Sequence, residues 1–168
     1  MTLAELLLEA FGRIHGVVRG VLEGLSPEEL ASRPADGANS IGWLVWHLTR
    51  IQDDHVADAA GCAQVWDREW AERMALPFEV SDTGYGHGSE QVGAVRVPSG
   101  ELLADYHDAV QEQTRRYVAG LGDADLDRVV DRAWDPPVTL GVRLVSVLSD
   151  DLQHVGQAAY VRGLVTRS

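Results

Sequence analysis

Apolar residues recur every three or four positions in four stretches of the chain, which is the spacing of one face of an α-helix. The first stretch covers residues 3–23 and ends at Gly24. The second begins after Ser40, a residue type that often caps helix N-termini, and continues to about Ala60. Its apolar stripe consists of Ile41, Leu44, Leu48 and Ile51. Both patterns predict long amphipathic helices.

The third and fourth stretches lie in the second half of the chain. Ser99 can cap a helix that runs to about Val118, and Thr139 can cap another that runs to about Leu164. The fourth helix is apolar nearly all round. One side holds Leu144, Leu148, Leu152 and Ala159, and another holds Val147, Ala158 and Val161. A helix of this kind is usually buried, so we expect it to lie inside the fold.

The segment from Gly61 to Pro98, between the second and third helices, carries no long pattern. Trp66 and Trp70 suggest one short amphipathic turn, and the glycine-rich stretch 84–88 breaks any longer element. Strand signals are few throughout. The sequence therefore predicts an all-α four-helix bundle in a single domain, residues 1–168, with a long crossover connection between helices two and three.

Charge and composition exclude several classes of function. The chain has 14 basic and 26 acidic residues and a net charge of −12, whereas nucleic acid and anionic membranes are bound by basic surfaces. No uncharged apolar run reaches the about 18 residues of a membrane span, and the N-terminus does not resemble a secretory leader. A single cysteine, Cys62, permits no internal disulfide, so we expect a reducing cytoplasm. We expect a small-molecule partner, no nucleic acid or membrane partner, and a homodimer as the candidate assembly.

Two ionisable residues lie on the apolar row of the fourth helix that holds Val147 and Val161. Asp150 and His154 are four positions apart, about 40° around the helix axis, and face the same way. A carboxylate buried without a partner is costly or takes up a proton. Two interpretations are open: the pair hydrogen-bonds internally or reaches solvent, or it supplies two ligands to a metal ion whose third ligand comes from another helix.

His47 on the second helix is the candidate third ligand. It borders the apolar stripe, and the alternative interpretation is a core-edge histidine bonded to backbone or water. Three protein ligands would leave open coordination positions, as in catalytic metal sites. Asp54 shares the face of His47 but lies about 10 Å further along the axis, which suits a contact to substrate or to a ligand residue. His55 is a weaker candidate.

Two segments resemble motifs of the DinB/YfiT-like superfamily. The stretch GANSIGWLVWHL, residues 37–48, resembles its second-helix motif, and DDLQHVGQ, residues 150–157, resembles its last-helix motif, where H-x3-H-x-G-Q is usual. The resemblance covers the whole chain and implies a metal triad of His47, Asp150 and His154, holding a divalent ion such as zinc or nickel. Asp150 stands where many members have histidine. The mycothiol-dependent maleylpyruvate isomerase branch also has a carboxylate there.

The resemblance implies a metal-dependent enzyme. Single-domain relatives include thiol-S-transferases that use low-molecular-weight bacterial thiols, whereas the isomerase branch has an additional C-terminal domain that we do not expect here. All 14 basic residues are arginine, a bias typical of GC-rich actinobacteria, where mycothiol is the expected thiol. We expect a mycothiol-type S-transferase or isomerase acting on an electrophilic small molecule. The alternative hypothesis is a non-catalytic, metal- or small-molecule-binding stress-response protein on the same scaffold.

Further residues border the predicted site. They are Arg143, Gln157, Trp43, Trp46 and His87. The arginine is a candidate for binding a substrate carboxylate or is simply on the surface, and the glutamine either orients a ligand or packs on the helix face. The two tryptophans wall a pocket or belong to the core. The histidine covers the site from its glycine-rich loop or lies in solvent. Cys62 is expected to be a bystander, because the cosubstrate supplies the sulfur.

Overall fold

Four long helices form the frame of the protein, whose computed structural model describes residues 1–166. They are α1 (Leu3–Leu22), α3 (Ile41–Ala60), α6 (Gly100–Ala119) and α7 (Leu140–Val165). The predicted all-α bundle is confirmed, and each predicted helix end differs from the observed one by one residue at most. No helix among the described residues combines the length and hydropathy needed to cross a bilayer.

Hydroxyl side chains begin all four long helices. The side chains of Thr2, Ser40, Ser99 and Thr139 each accept a hydrogen bond from a backbone N–H in the first helical turn. These N–H groups have no partner within the helix, so the caps fix where each helix begins. Gly61 ends α3 in the left-handed conformation, with φ of 67°.

Short elements fill the connections. They are α2 (Pro27–Ala31), α4 (Arg68–Met74), α5 (Ser89–Ala94), a 3-10 turn (Asp123–Asp127), β1 (Val129–Asp131) and β2 (Val138–Thr139). The two strands pair antiparallel before α7. The sequence did not predict them because strands of two and three residues are too short for an alternating pattern. The crossover between α3 and α6 carries α4 and α5.

The four long helices follow the order α3, α7, α1, α6 around the bundle, each packing on its neighbours. Helices α3 and α7 run antiparallel, because His47 meets His154 near one end while Asp58 and Arg143 line a common cleft near the other. The long crossover lies against α3 where the backbone N–H groups of Val65 and Trp66 donate to Asp53 of that helix. This packing covers α3 on nearly all sides.

The most buried helix is α3 rather than α7. Sixteen of the 20 residues of α3 are buried, whereas α7 buries one stripe and exposes the opposite face. Leu152 and Ala159 lie on that exposed face, and Leu152 keeps 56% of its surface accessible. The prediction that α7, as an apolar helix, lies inside the fold is therefore wrong for its outer face. Hydropathy reports how apolar a helix is, but the neighbouring elements decide which helix they cover.

Candidate metal centre

The structure brings together three of the predicted site residues between α3 and α7. His47 comes from α3, and Asp150 and His154 come from successive turns of α7. Each offers one ligand atom, and no two of these atoms are more than 4.8 Å apart. The two imidazole rings meet edge to face, with centroids 4.8 Å apart. We call these three residues the histidine–aspartate cluster.

Backbone carbonyls orient both histidines. Nδ1 of His47 donates to the carbonyl oxygen of Thr83 at 2.6 Å, and Nδ1 of His154 donates to that of Asp150 at 2.8 Å. A carbonyl can only accept, so each ring carries its proton on Nδ1. Each Nε2 is left with a free lone pair, which is the arrangement of a metal-ligating histidine.

The third donor atom is a carboxylate oxygen without a hydrogen-bond donor. Oδ2 of Asp150 is buried and lies 3.3 Å from Nδ1 of His154, whose N–H points to the carbonyl instead. Nothing among residues 1–166 donates to this oxygen. A buried carboxylate oxygen of this kind needs compensation. Two imidazole nitrogens and one carboxylate oxygen form a donor set that suits zinc, so the residues fit a divalent ion.

Burial and mutual charge set the protonation of the cluster. Burial lowers the pKa of His47, which keeps its ring neutral. Burial alone would raise the pKa of Asp150 and lower that of His154. The interaction between the two outweighs it, so the pKa of Asp150 is lowered and the pKa of His154 is raised. The carboxylate is therefore anionic, and ligand binding at His154 competes with a proton.

Comparison with known proteins decides the family. The family model described as the DinB superfamily matches residues 10–158. The chain belongs to the DinB superfamily. A crystal structure of a conserved protein from Enterococcus faecalis is similar to this DinB chain with a TM-score of 0.90 and 33% identity, over 100% of this chain and 99% of that chain. No curated protein matches the sequence. Neither description names an activity, a metal or a thiol.

The cluster of this DinB protein is accessible from outside. The side chains of Asp150 and His154 remain 30% and 17% exposed. Asp54 lies seven residues after His47, and Arg143 lies seven residues before Asp150, so both sit two turns away along antiparallel helices, about 10 Å from the cluster. Asp54 and Arg143 both line a cleft of about 420 Å³. Its lining residues are Asp54, His55, Ala57, Asp58, Cys62, Gln64, Asp131 and Arg143.

Acidic groups dominate this cleft. The guanidinium of Arg143 is 2.7 Å from Oδ2 of Asp131, so its charge is already matched by a carboxylate. Asp54 accepts a hydrogen bond from Gln64 at 2.7 Å, and Asp58 is exposed. A substrate role for Asp54 or Arg143 stays a prediction. The structure places both in the cleft but not in the cluster.

The remaining predicted neighbours differ in position. Gln157 is exposed, and His154 is oriented by a backbone carbonyl instead. Trp43 and Trp46 are both core residues, and Trp43 also stacks on His47 with centroids 4.7 Å apart. The side chain of His87 is 3% exposed and lies among these rings, rather than in solvent.

The loop of residues 82–88 contains two site residues that the sequence analysis did not identify, Thr83 and Gly84. Thr83 contributes only its carbonyl oxygen, which any residue would supply. Gly84 approaches the cluster closely: a Cβ atom there would lie 2.9 Å from Nδ1 of His47 and from the Trp46 ring, and its φ is +83°. Both facts require glycine at this position. The glycine-rich stretch was the available signal.

A second buried polar group on α3 was also missed. Arg50 and Asp53 are 1% and 0% exposed and lie 3.7 Å apart. The carboxylate accepts from the backbone N–H groups of Val65 and Trp66, at 2.8 and 2.7 Å, and from the Tyr106 hydroxyl at 2.9 Å. The guanidinium donates to Asp82 and Gln64 and lies over Trp66. We call this the Arg50–Asp53 network, and it holds the crossover onto α3.

Proposed function

We propose that this DinB protein is a metal-dependent enzyme that transfers a low-molecular-weight thiol to an electrophilic small molecule, or isomerises that molecule with the thiol as cosubstrate. One observation carries the proposal: candidate ligand atoms of two oriented histidines and one aspartate lie within 4.8 Å of one another, and the side chains of Asp150 and His154 are partly exposed. Structural zinc sites are closed by four protein ligands, whereas three ligands leave room for a reactant.

The chain's own residues would have distinct tasks. His47 and His154 would hold the ion through Nε2, with ring orientations fixed by Thr83 and by the α7 backbone. Asp150 would supply the negative charge. A bound divalent ion, zinc or nickel in our proposal, favours the thiolate form of a thiol over the neutral form, and the thiolate is the nucleophile. Asp54 and Gln64 line the adjoining cleft, where the rest of a substrate would lie.

The charge of the cleft supports a neutral thiol. Asp54 and Asp58 have no arginine partner among the described residues, and Arg143 is occupied by Asp131. Carboxylate-bearing thiols such as glutathione and bacillithiol would be repelled there, whereas mycothiol carries no carboxylate. We therefore propose a mycothiol-type cosubstrate, and a reducing cytoplasm as the setting in which thiol and Cys62 both stay reduced.

Two measurements test this proposal. Elemental analysis of protein purified in metal-free buffer and then loaded should give up to one zinc or nickel per chain, and His47→Ala should lose it. His15→Ala is the matched control, because that histidine pairs with Asp108 away from the cluster. The loaded protein should transfer mycothiol to a bimane-type electrophile, with glutathione and bacillithiol reacting more slowly.

The outcomes separate the hypotheses. Equal metal content in wild-type protein and His47→Ala would refute the proposed centre. Metal bound at the cluster without turnover of any of the three thiols, across varied electrophiles, would favour the alternative of a non-catalytic binding protein on the same scaffold.

A further inference from the structure

A chain of polar contacts leads from the loop of residues 82–88 to Trp43, which packs against the cluster. Nε2 of His87 lies 3.1 Å from each carboxylate oxygen of Asp82, and Nδ1 of His87 lies 3.2 Å from the indole Nε1 of Trp43. An indole N–H can only donate, so Nδ1 of His87 accepts. Nε2 then carries the proton and donates to Asp82. The contacts thus fix both the tautomer and the ring orientation of His87.

Trp43 connects His87 to the cluster by direct contact. It precedes His47 by one helical turn, and the two rings are nearly parallel, with an interplanar angle of 14°. The indole also lies 5.9 Å from the His154 ring, centroid to centroid. Because the indole is held at its N–H by His87, it offers His47 a fixed surface on one face.

The same loop fixes the ring edge of His47. Oδ1 of Asp82 accepts from the backbone N–H of Gly84 at 2.7 Å, which shapes the turn that presents the Thr83 carbonyl to Nδ1 of His47. Asp82 therefore acts on His47 along two routes, through the turn and through His87 and Trp43.

We propose that His87, held by Asp82, is a positioning residue that keeps Trp43 against His47 and so fixes the ring orientation of His47 beside Asp150 and His154. This inference rests on the proposed function for its purpose, but its effect on the His47 ring is measurable in metal-free protein. The competing explanation is simple packing, since His87 also contacts Phe78, with ring centroids 4.7 Å apart.

Paired variants at position 87 distinguish positioning from packing. His87→Phe keeps an aromatic ring but removes the acceptor for Trp43, whereas His87→Asn keeps an acceptor near the place of Nδ1. Long-range ¹H–¹⁵N spectra of metal-free protein should show His47 as the Nδ1–H tautomer in wild type and as a tautomer mixture in His87→Phe. Zinc affinity, measured by competition with a chromophoric chelator, should fall about tenfold in His87→Phe and clearly less in His87→Asn.

Controls keep the test decisive. His15→Phe changes another histidine that is hydrogen-bonded to an aspartate, Asp108 at 2.7 Å, and should alter neither reading. Trp43→Phe keeps a ring beside His47 without the N–H donor, and should shift the His47 tautomer if His87→Phe fails to fold. A single Nδ1–H tautomer of His47 in both His87→Phe and Trp43→Phe would overturn the inference. Because the tautomer reading needs no metal, failure of wild-type protein to bind zinc would count against the proposed function alone.

Discussion

Helix α3 contributes residues to two polar groups that differ in how far their hydrogen bonds are satisfied. In the Arg50–Asp53 network, both carboxylate oxygens of Asp53 accept from protein donors, and Arg50 donates to two acceptors. In the histidine–aspartate cluster, each histidine uses Nδ1 for a backbone carbonyl, and Oδ2 of Asp150 has no hydrogen-bond donor among the described residues, although it lies 3.3 Å from Nδ1 of His154. Burial of charge alone therefore does not mark a ligand site. Candidate ligand atoms within 4.8 Å of one another, together with a carboxylate oxygen that has no hydrogen-bond donor among the described residues, do.

The difference also predicts what each group stabilises. A network whose hydrogen bonds are satisfied within the protein contributes to folding. Removing one member leaves the other charge buried without a partner. An open cluster contributes little until something binds, so its residues can be exchanged at low cost to the fold. The variants below test this contrast.

The largest effect is expected from Asp53→Ala. The change leaves the Arg50 guanidinium buried without its carboxylate and frees three donors, so the free energy of unfolding should fall by about 3–5 kcal/mol. Urea unfolding followed by circular dichroism measures it. Asp58→Ala, an exposed position on the same helix, should stay within about 0.5 kcal/mol of wild type. Similar losses in the two variants would contradict the contrast.

A smaller effect, on ligand binding rather than on folding, is expected from Asp150→Asn. Loss of the carboxylate charge should weaken zinc binding by at least about tenfold and change the stability of the metal-free protein little. The matched control is the neighbouring Asp151→Asn. Burial raises the pKa of Asp151 well above its usual value, whereas that of Asp150 is lowered, so asparagine at position 151 removes less negative charge. Equal loss of zinc affinity in both variants would indicate distortion of α7 instead of a lost ligand.

His107 has one ring nitrogen with a partner and one without, so in this respect it lies between the two groups. Its burial predicts that the stability of the fold depends on pH. Its Nδ1 pairs with the Thr49 hydroxyl at 3.0 Å, whereas its Nε2 has no partner among the described residues. Burial, with a smaller contribution from His15, lowers the pKa of His107 to about 3. Below the unfolded pKa of about 6.5 the unfolded chain takes up a proton that the folded chain refuses, so stability falls as the pH falls.

This contribution amounts to about 2 kcal/mol at about pH 5. Urea unfolding of wild type and His107→Gln between neutral pH and about pH 5 should therefore give a flatter pH dependence for the variant. Asp151 changes the stability of both proteins with pH in the opposite direction and to the same extent. Its contribution therefore cancels when the two pH dependences are compared. Parallel slopes would show that the unpartnered Nε2 does not exclude the proton.

The smallest effect is expected from Cys62→Ala. Cys62 is exposed and lines the cleft beside the open cluster. If the cosubstrate supplies the sulfur, thiol transfer by the metal-loaded variant should proceed at nearly the wild-type rate. A large loss of rate with metal content intact would instead assign the nucleophile to the protein.

Local signals explain which parts were predictable. The caps at Ser40 and Thr139 fixed two helix starts, and four-residue spacing placed Asp150 and His154 on one face. Asp53 gave no such signal, because its partners are backbone N–H groups of the crossover, whose path is a tertiary property. The Thr83 carbonyl gave none either, since a carbonyl is common to all residues. The apolar residues on the outer face of α7 led to a wrong prediction of burial, because hydropathy does not show which elements pack against a helix.

The two sides of the histidine–aspartate cluster stand at positions 47 and 150 of the chain. During synthesis, the ribosome therefore releases His47 long before the helix that completes the donor set has been translated. An ion cannot meet all three donor atoms until α7 has docked beside α3. The ion would then bind late in maturation, after the bundle has formed. The folding chain would not compete for the cell's metal ions before α7 is in place.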